Sequence, residues 1–499
     1  MLLGQRVAVL ATHIGSCALV IGMLACGGGG DGPTSSGAND SVTVSLSSAT
    51  VAVGGVIPRL ATITLVSGHA DPLQWSSENP ALAKVDPVGV TRATVTGVAP
   101  GSVAIRATAG RSSAAANITV LDLTFDALAL NGGRHACAHT RGGKFVCWGD
   151  HGEGALGPIT DPEICPTQIR PCGSTPRVLT APPAFAQIAV SHGGGTCGLT
   201  ADGVAYCWGP NPNDIIGPSS ETCAPPEVVP FPCIHTPTQV RGDVRFASLS
   251  IGAVYCGLTA QGKAYCWGAN DRGQLGDGTQ TMRLEPTPVS GGVTFTSLSA
   301  GNLHACGLTA AGAAYCWGAN ESGQLGDAST TDRASPVVVA GGHTFAAISP
   351  GRDHTCAVTL DGAAYCWGDN TFGQLGDGTT SPSAVPKPVS GSASFSAVTT
   401  GLEHSCGLTT SGRAWCWGQN NAPQVQGQLG DGTTRSSNVP VAVVRDLAFV
   451  ELRAGRAFTC GRTAEGKIYC WGDNRVGQLG TGDVERRNSA TPVGVAGVP

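Results

Sequence analysis

The sequence predicts an all-β chain: a seven-bladed β-propeller preceded by a smaller β-sandwich. Three observations carry that prediction. One pattern of about fifty residues recurs seven times from about Phe125 onward, and a fixed period of that size marks stacked supersecondary units. Within each repeat, apolar residues alternate with a period of two between Gly-rich turns, the signature of short strands. Gly is far above average usage at 73 of 499 residues, while Met numbers 3 and charged residues make up 13%. Such a composition suits tight turns and suits long helices poorly.

At the N-terminus Arg6 precedes an apolar run from Val7 to Leu24 that stops at Ala25-Cys26. An apolar run beginning this early reads as a signal peptide, residues 1–25, rather than as a membrane span. Small Ala25 before Cys26, followed by a Gly run, resembles a bacterial lipoprotein signal, with Met23 where Leu is usual. The resemblance implies that Cys26 becomes the lipid-modified first residue; ordinary cleavage and secretion is the alternative. Residues 26–41, GGGGDGPTSSGAND among them, cannot bury a core and read as a flexible tether. By analogy with lipoprotein sorting in two-membrane bacteria, Gly27 favours the outer membrane. The expected location is therefore an outer-membrane or cell-surface lipoprotein, touching the membrane by its anchor only.

Residues 42–121 alternate strongly, as in VTVSLSSATVAVG and GSVAIRATAG, and are expected to form half-buried antiparallel strands at sandwich spacing. Val51-x-Val53-Gly54, Trp75-Ser76-Ser77-x-Asn79, Val85, and Gly97-x-x-x-Gly101 before Ala104-Ile105 resemble the bacterial immunoglobulin-like domain, group 2. Trp75 is expected to be the core tryptophan of this Ig-like sandwich.

In the repeats, cysteines recur ten residues apart: Cys137/Cys147, Cys197/Cys207, Cys256/Cys266, Cys306/Cys316, Cys356/Cys366, Cys406/Cys416 and Cys460/Cys470. Trp-Gly follows the second of each pair, and five repeats then carry Gly-Gln-Leu-Gly. A three-residue hairpin loop favours a left-handed third residue, and Gly stands there in every repeat, at 143, 203, 262, 312, 362, 412 and 466. In that register 258 faces 264, and 256 faces 266 as a non-hydrogen-bonded pair with Cα atoms about 4.5 Å apart, within disulfide range. Closing so short a loop contributes roughly 2–3 kcal/mol. Cys256, Leu258, Ala264 and Cys266 share one face, while Tyr265 and Trp267 share the other. Both faces are apolar, so both must be covered, as in radially packed blades.

Segments such as Gly301-Asn-Leu-His304-Ala-Cys306, Tyr315-Cys316-Trp317-Gly and Gly323-Gln-Leu-Gly326-Asp resemble repeats of the regulator of chromosome condensation family, most closely its cysteine-rich bacterial form. The resemblance covers about 127–497. It implies four-stranded blades around a central channel, with the first and last segments together closing the ring. The eukaryotic namesake is a nucleotide exchange factor for a small GTPase, but an exported chain would not meet that enzyme.

Repeats 1 and 2 depart from the pattern, with Gly154-Ala-Leu-Gly157 and Asp214-Ile-Ile-Gly217 followed by insertions that carry Cys165, Cys172, Cys223 and Cys233. Local bonds 165–172 and 223–233 are the simplest pairing, though four cysteines allow three pairings. Val228, Val229, Phe231 and Ile234, held in a constrained loop, are the candidate partner-binding residues, since a rigid loop loses little entropy on binding.

Other motifs carry no chemistry. His135, His304, His354 and His404 recur two residues before the first repeat cysteine, but one per blade keeps them too far apart to share a metal. His192-Gly-Gly-Gly195 copies a lipase oxyanion motif without any Gly-x-Ser-x-Gly elbow. The Asp-Gly-Thr runs after Gly-Gln-Leu-Gly read as turns. A net charge of −5 without a Lys/Arg cluster disfavours nucleic acid, and twenty cysteines point to an oxidising compartment. The expectation is a monomeric, non-enzymatic binding protein (adhesin, receptor or inhibitor) with no catalytic residue, metal or cofactor and with an extracellular protein or glycan as partner. An enzyme using the channel is the alternative, and exchange-factor activity a more distant one.

Overall fold

The computed structural model describes residues 41–45, 50–52, 56–57, 62–66, 74–88, 92–109, 112–152, 154–158, 163–165, 170–180, 183–218, 221–223, 231–422 and 425–493. The expected signal peptide and Cys26 lie outside the described residues. Secondary structure among them is almost entirely β. No helix among them is long and apolar enough to cross a membrane.

In the N-terminal unit Ser41–Ser45 pairs antiparallel with Thr62–Val66. A second sheet sets Gln74–Ser77, Gly101–Ala109 and Ser112–Leu121 side by side, and Thr50–Ala52 joins its edge in parallel. A third holds Val56–Ile57, Arg92–Gly97 and Ala83–Val88. Alternation puts Val103 and Ile105 on one face of their strand, and Ile118 and Val120 on one face of theirs. These four bury against Ala83 and Val95. Trp75 packs on this cluster while keeping part of its ring exposed.

The rest of the chain repeats one antiparallel sheet. Among the described residues there are seven, beginning at Phe125, Gln187, Ser248, Ser297, Phe345, Phe395 and Phe449, each with four strands in chain order. The first two carry an extra two- or three-residue strand, Glu163–Cys165 and Thr222–Cys223, on their fourth strand. The sheet built from Ser297–Ala300, His304–Leu308, Ala314–Gly318 and Arg333–Val338 shows the logic. Thr309 N donates to Ala313 O at 3.0 Å, and Gly312 N donates to Thr309 O at 2.9 Å. That closes a three-residue loop with Gly312 at φ +75°. The loop fixes the register Leu308↔Ala314 and Cys306↔Cys316.

Disulfides join all seven hairpin pairs: Cys137 to Cys147, Cys197 to Cys207, Cys256 to Cys266, Cys306 to Cys316, Cys356 to Cys366, Cys406 to Cys416 and Cys460 to Cys470. Their Cα separations of 4.0 to 4.2 Å are somewhat shorter than the spacing expected from an unbonded strand pair. Every one of these cysteines is at most 1% exposed, so the bonds staple the interior and offer no surface chemistry.

Adjacent sheets pack cysteine face to tryptophan face. Cys306 and Cys316 lie against Phe345, Tyr365 and Trp367 of the next sheet; Cys460 and Cys470 of the last sheet lie against Phe125 and Trp148 of the first. The first strand of each sheet also touches the first strands of its two neighbours, and the strand Phe125–Ala129 touches both Gln187–Val190 and Phe449–Ala454. Phe125 N donates to Gly466 O at 2.8 Å, fastening the first sheet to the seventh.

Gly-Gln-Leu-Gly is a latch between sheets. Trp367 Nε1 donates to Gln324 O of the preceding sheet at 2.9 Å, and the same bond recurs from Trp148, Trp208, Trp317, Trp417 and Trp471. Gly326 lies flat on that indole: a Cβ would sit 2.7 Å from Trp367 Nε1. Buried Asn320 accepts from Leu325 N and donates to Asp327, which also pairs with Arg333 at 2.8 Å. These acidic turns therefore spend their carboxylates on protein partners.

The recurring histidines form a second latch. His304 Nε2 is 2.8 Å from Thr355 Oγ1, and that hydroxyl donates to Gln324 O at 2.8 Å. A hydroxyl has one proton, so the imidazole must be the donor. His135 meets Thr196, His354 meets Ser405 and His404 meets Thr459 in the same way. All four rings are fully buried. Burial first, then neighbouring histidines, lowers His135, His304 and His404 to about 3; burial takes His354 to about 4 against the opposing charge of Asp369.

Candidate functional site

Strands alternate in direction, so the turns joining first to second and third to fourth strands emerge on one face of the assembly, while the glycine hairpins emerge on the other. Both disulfide-bearing insertions, 158–172 and 218–234, join a third strand to a fourth. The strand ends that flank them therefore lie on the turn face of adjacent sheets.

Cys223 and Cys233 are bonded, with Cα atoms 5.6 Å apart. Cys172 is also disulfide-bonded, while the Cys165 side chain lies outside the described residues. Val228 and Val229 lie outside them too. Phe231 is described only by its backbone, at the start of the strand Phe231–Gln239. Ile234 corrects the sequence reading. It pairs with Gly209 and is only 5% exposed, packed in the core beside Leu156 and Trp208. Emerging from the loop into a paired strand turns its side chain inward, so it has no surface to offer.

Cys223, Cys233 and His235 bring possible metal-ligand atoms together. Both sulfurs belong to the disulfide, however, and a metal needs thiolate. His235 Nδ1 instead lies 2.9 Å from Glu221 Oε2, and this contact holds the Glu221 carboxyl below its usual value. His151 takes the place that Asn holds in later repeats and accepts from Leu156 N at 3.3 Å. Burial, then His235 and Arg177, lowers it to about 4.

Toward the middle of the turn face, the first two sheets reach inward. Asn131 Nδ2 donates to Ile251 O and Ala300 O, both at 2.8 Å, crossing from the first sheet to the third and fourth. The His192 ring covers Gly132, where a Cβ would sit 1.9 Å from it. It is 8% exposed, and neither nitrogen has a hydrogen-bond partner among the described residues. Burial lowers its pKa to about 4, helped by Arg456 and His354.

Charged side chains stand in the equivalent turns of other sheets. Arg352 reaches Asp353 at 3.1 Å and Glu403 at 2.7 Å. Burial pushes Glu403 up to about 7, Arg352 opposing and Asp369 and Asp353 reinforcing. Burial likewise raises Asp353. Arg134 and Arg456 sit in the equivalent turns of the first and seventh sheets. Sequence reasoning passed over all of these, although each stands within two residues of the histidine slot it did examine. Chemically, Glu403 is poised to exchange a proton near neutrality, but its Oε1 is bound to Arg352. A cleft of about 300 Å³ lies on the hairpin face between the fourth and fifth sheets, lined by Leu308, Thr309, Phe345 and Leu360 among others and by no ionisable side chain.

The profile of the RCC1-like domain matches residues 170–498, and that of the bacterial Ig-like domain (group 2) matches residues 38–120. Human E3 ubiquitin-protein ligase HERC2 is 33% identical over 111 residues, which is 21% of this chain and only 2% of HERC2. Among solved structures, human WBSCR16 superposes with a TM-score of 0.59 at 21% identity, covering 70% of this chain and 93% of that one. Yeast RCC1 (Prp20), solved bound to Kap60, gives 0.54 at 20% identity over 67% of this chain and 79% of its own. At these identities the likeness is one of fold: repeated four-stranded sheets like those of the RCC1 propeller.

Proposed function

We propose, from the premise that the chain belongs to the RCC1-like domain family, that it is a non-enzymatic binding protein displayed outside the cell. In this reading the seven sheets close into a seven-bladed propeller, residues 127–497. An Ig-like sandwich, residues 42–121, spaces it from a membrane in which lipidated Cys26 is anchored after removal of residues 1–25. The partner is an extracellular protein or glycan, met as a monomer in the manner of an adhesin, receptor or inhibitor. The observation that carries this is that two cysteine-bearing insertions each join a third strand to a fourth in neighbouring sheets, one of them closed by the Cys223–Cys233 bond; Val228, Val229 and Phe231 are the candidate contacts. The disulfides and the bacterial Ig-like match support an extracellular setting.

Two further readings keep one observation each. Glu403, titrating near 7 on the turn face, favours an enzyme. The match to the RCC1-like domain is what keeps exchange-factor activity by family analogy, and that activity would need a reducing cytosol, where the hairpin disulfides would not persist.

The test is capture of partners from an extracellular fraction by oxidised residues 41–499, beside a form with 158–172 and 218–234 shortened. A partner bound by the first and lost by the second supports the loops as the epitope. Equal capture by both moves the epitope elsewhere. Turnover in a hydrolase screen that Glu403→Gln abolishes would replace the binding reading with the enzymatic one.

A further inference from the structure

We infer that Cys223 and Cys233 form a thiol–disulfide exchange site for an external thiol. Cys223 is the exchanging sulfur, Cys233 the resolving one, and His235, oriented by Glu221, the proton acceptor that activates Cys223. The inference concerns the chemistry of this bond and stands whether or not the insertion that carries it contacts a partner.

The site is built on a strand edge. Cys223 ends the two-residue strand Thr222–Cys223 at the edge of the second sheet, and its bond reaches Cys233 on the neighbouring strand Phe231–Gln239. Cys233 N donates to Glu221 O at 3.2 Å, and His235 N donates to Glu221 Oε2 at 3.1 Å. Those two bonds fix Glu221 beside the His235 ring, whose Nδ1 lies 2.9 Å from the same carboxylate oxygen. An ionised carboxylate can only accept, so Nδ1 carries the proton and the neutral ring presents the lone pair of Nε2. That Nε2 lies 3.4 Å from Cys223 Sγ. A disulfide sulfur has no proton to give and a thiol has one, so the line from carboxylate to imidazole to sulfur acquires its use when the bond opens. Gly154 of the first sheet packs on the ring, where a Cβ would sit 3.2 Å from His235 Cδ2.

The seven hairpin disulfides lack both this arrangement and this exposure. Their sulfurs lie between sheets, and the side chains that hydrogen-bond to them among the described residues are hydroxyls, Ser405 on Cys356 and Thr459 on Cys406. The His235 and Glu221 side chains, by contrast, are 41% and 48% exposed, and Cys223 is 5% exposed while Cys233 is fully buried. One reachable sulfur beside an activating group, with a second sulfur buried behind it, is the division of labour that exchange requires. An external thiolate attacks Cys223 Sγ; a new S–S bond forms there, the 223–233 bond breaks, and the electron pair leaves on Cys233, which takes up a proton. A second external thiol then removes the first as its disulfide and releases Cys223 as the thiolate, with the remaining proton on His235. Two external thiols are thereby oxidised by two electrons, and the 223–233 bond is reduced by the same two. Facing the ring from the first sheet, His151 lies 6.2 Å away between centroids and burial keeps it uncharged near neutrality, so Glu221 supplies the charge that compensates protonated His235.

The experiment uses the full oxidised chain with any free thiol first blocked by N-ethylmaleimide. Graded glutathione at pH 7 serves as the external thiol, iodoacetamide quenches, and peptide mass mapping reports which sulfurs have opened. The 223–233 pair is expected to open at about tenfold less glutathione than any hairpin pair, with the mixed disulfide on Cys223. Opening no earlier than the hairpin pairs, or an adduct on Cys233, overturns the assignment. In Cys233→Ser, which cannot reclose the bond, the rate of Cys223 with a small aromatic disulfide is then followed from pH 6 to pH 9. Adding His235→Gln should slow that reaction about tenfold at pH 6 and little at pH 9, where an ordinary thiol ionises unaided. Glu221→Gln should act in the same direction and less strongly. Equal slowing at both pH values, or none at pH 6, overturns the relay, and the glutathione series on the unmutated chain decides the exchange site even where a variant folds poorly.

Discussion

The junctions between neighbouring sheets come in two main kinds and one exception, and the difference lies in a single pair of positions. At four junctions a buried histidine donates to a hydroxyl of the next sheet: His135 to Thr196, His304 to Thr355, His354 to Ser405 and His404 to Thr459. At two others the same pair of positions is apolar, Val254 with Ala305 and Phe458 with Ala136, and both pairs pack in the core. At the remaining junction Gly195 leaves room for Tyr255, whose hydroxyl lies 2.8 Å from where a Cβ at 195 would be. Histidine is never set opposite alanine, nor a small hydroxyl opposite valine or phenylalanine. What is held constant is the match between the two positions, which follows from the asymmetry of buried hydrogen bonds: losing one partner costs far more than replacing both.

The largest expected effect is on acid stability, which divides the two kinds cleanly. The four imidazoles have folded pKa values near 3 to 4 against an ordinary value of 6.5. Between those limits the unfolded chain binds protons that the folded chain refuses. Stability is thus complete above about pH 6.5 and falls as pH drops toward the folded values. Each imidazole contributes up to about 1.4 kcal/mol per pH unit in that window. Denaturant midpoints at pH 7 and pH 5 should differ markedly. Converting one latch to the apolar kind, His304→Val with Thr355→Ala, should reduce the slope by about one proton.

Next comes Val254→His, which places an imidazole opposite Ala305 with no acceptor and in a filled space. A loss of about 3 kcal/mol or more is expected, readable as a lowered thermal midpoint, with partial recovery on adding Ala305→Thr. Smaller is Thr355→Ala alone. It strands the His304 N–H and removes one of two donors to Gln324 O, so about 1–3 kcal/mol should be lost, more than in the double variant with His304→Val. If the single variant proved the milder, the matching rule would fail. The smallest net effect is expected from Gly195→His with Tyr255→Thr, which rebuilds a polar latch where tyrosine now fills the gap; Gly195→His alone should be poorly tolerated, and a melting series of the three variants checks this.

Much of this fold was legible because its determinants are local. Thr309 to Gly312 sets the hairpin, the hairpin sets Cys306 opposite Cys316, and the same alternation assigns Trp317 to the other face. The histidine partners were not read, although the signal was present: each lies in the following repeat, one residue before the first cysteine, and it is a hydroxyl whenever the preceding repeat has histidine. The turn face was less accessible still. The turns of Arg134 and Arg456 meet only when the first and seventh sheets do, so no local pattern announces them. Ile234 was misread for the opposite reason, because a loop-like neighbourhood of Pro and Cys hid the strand that buries it.

The matching of junction positions has a consequence for how such a chain can change over time. A unit that both receives and gives a latch, as those of Thr355/His354 and Ser405/His404 do, can be duplicated, deleted or exchanged with its like, since the new seams find the old partners. The unit of Ala305/His304 cannot follow a copy of itself, because its histidine would then face an alanine. It can only open a polar run, as the unit of Thr459/Phe458 can only end one. The order of the repeats is thereby a syntax, and recombination within it is free in the middle of a run and forbidden at its edges.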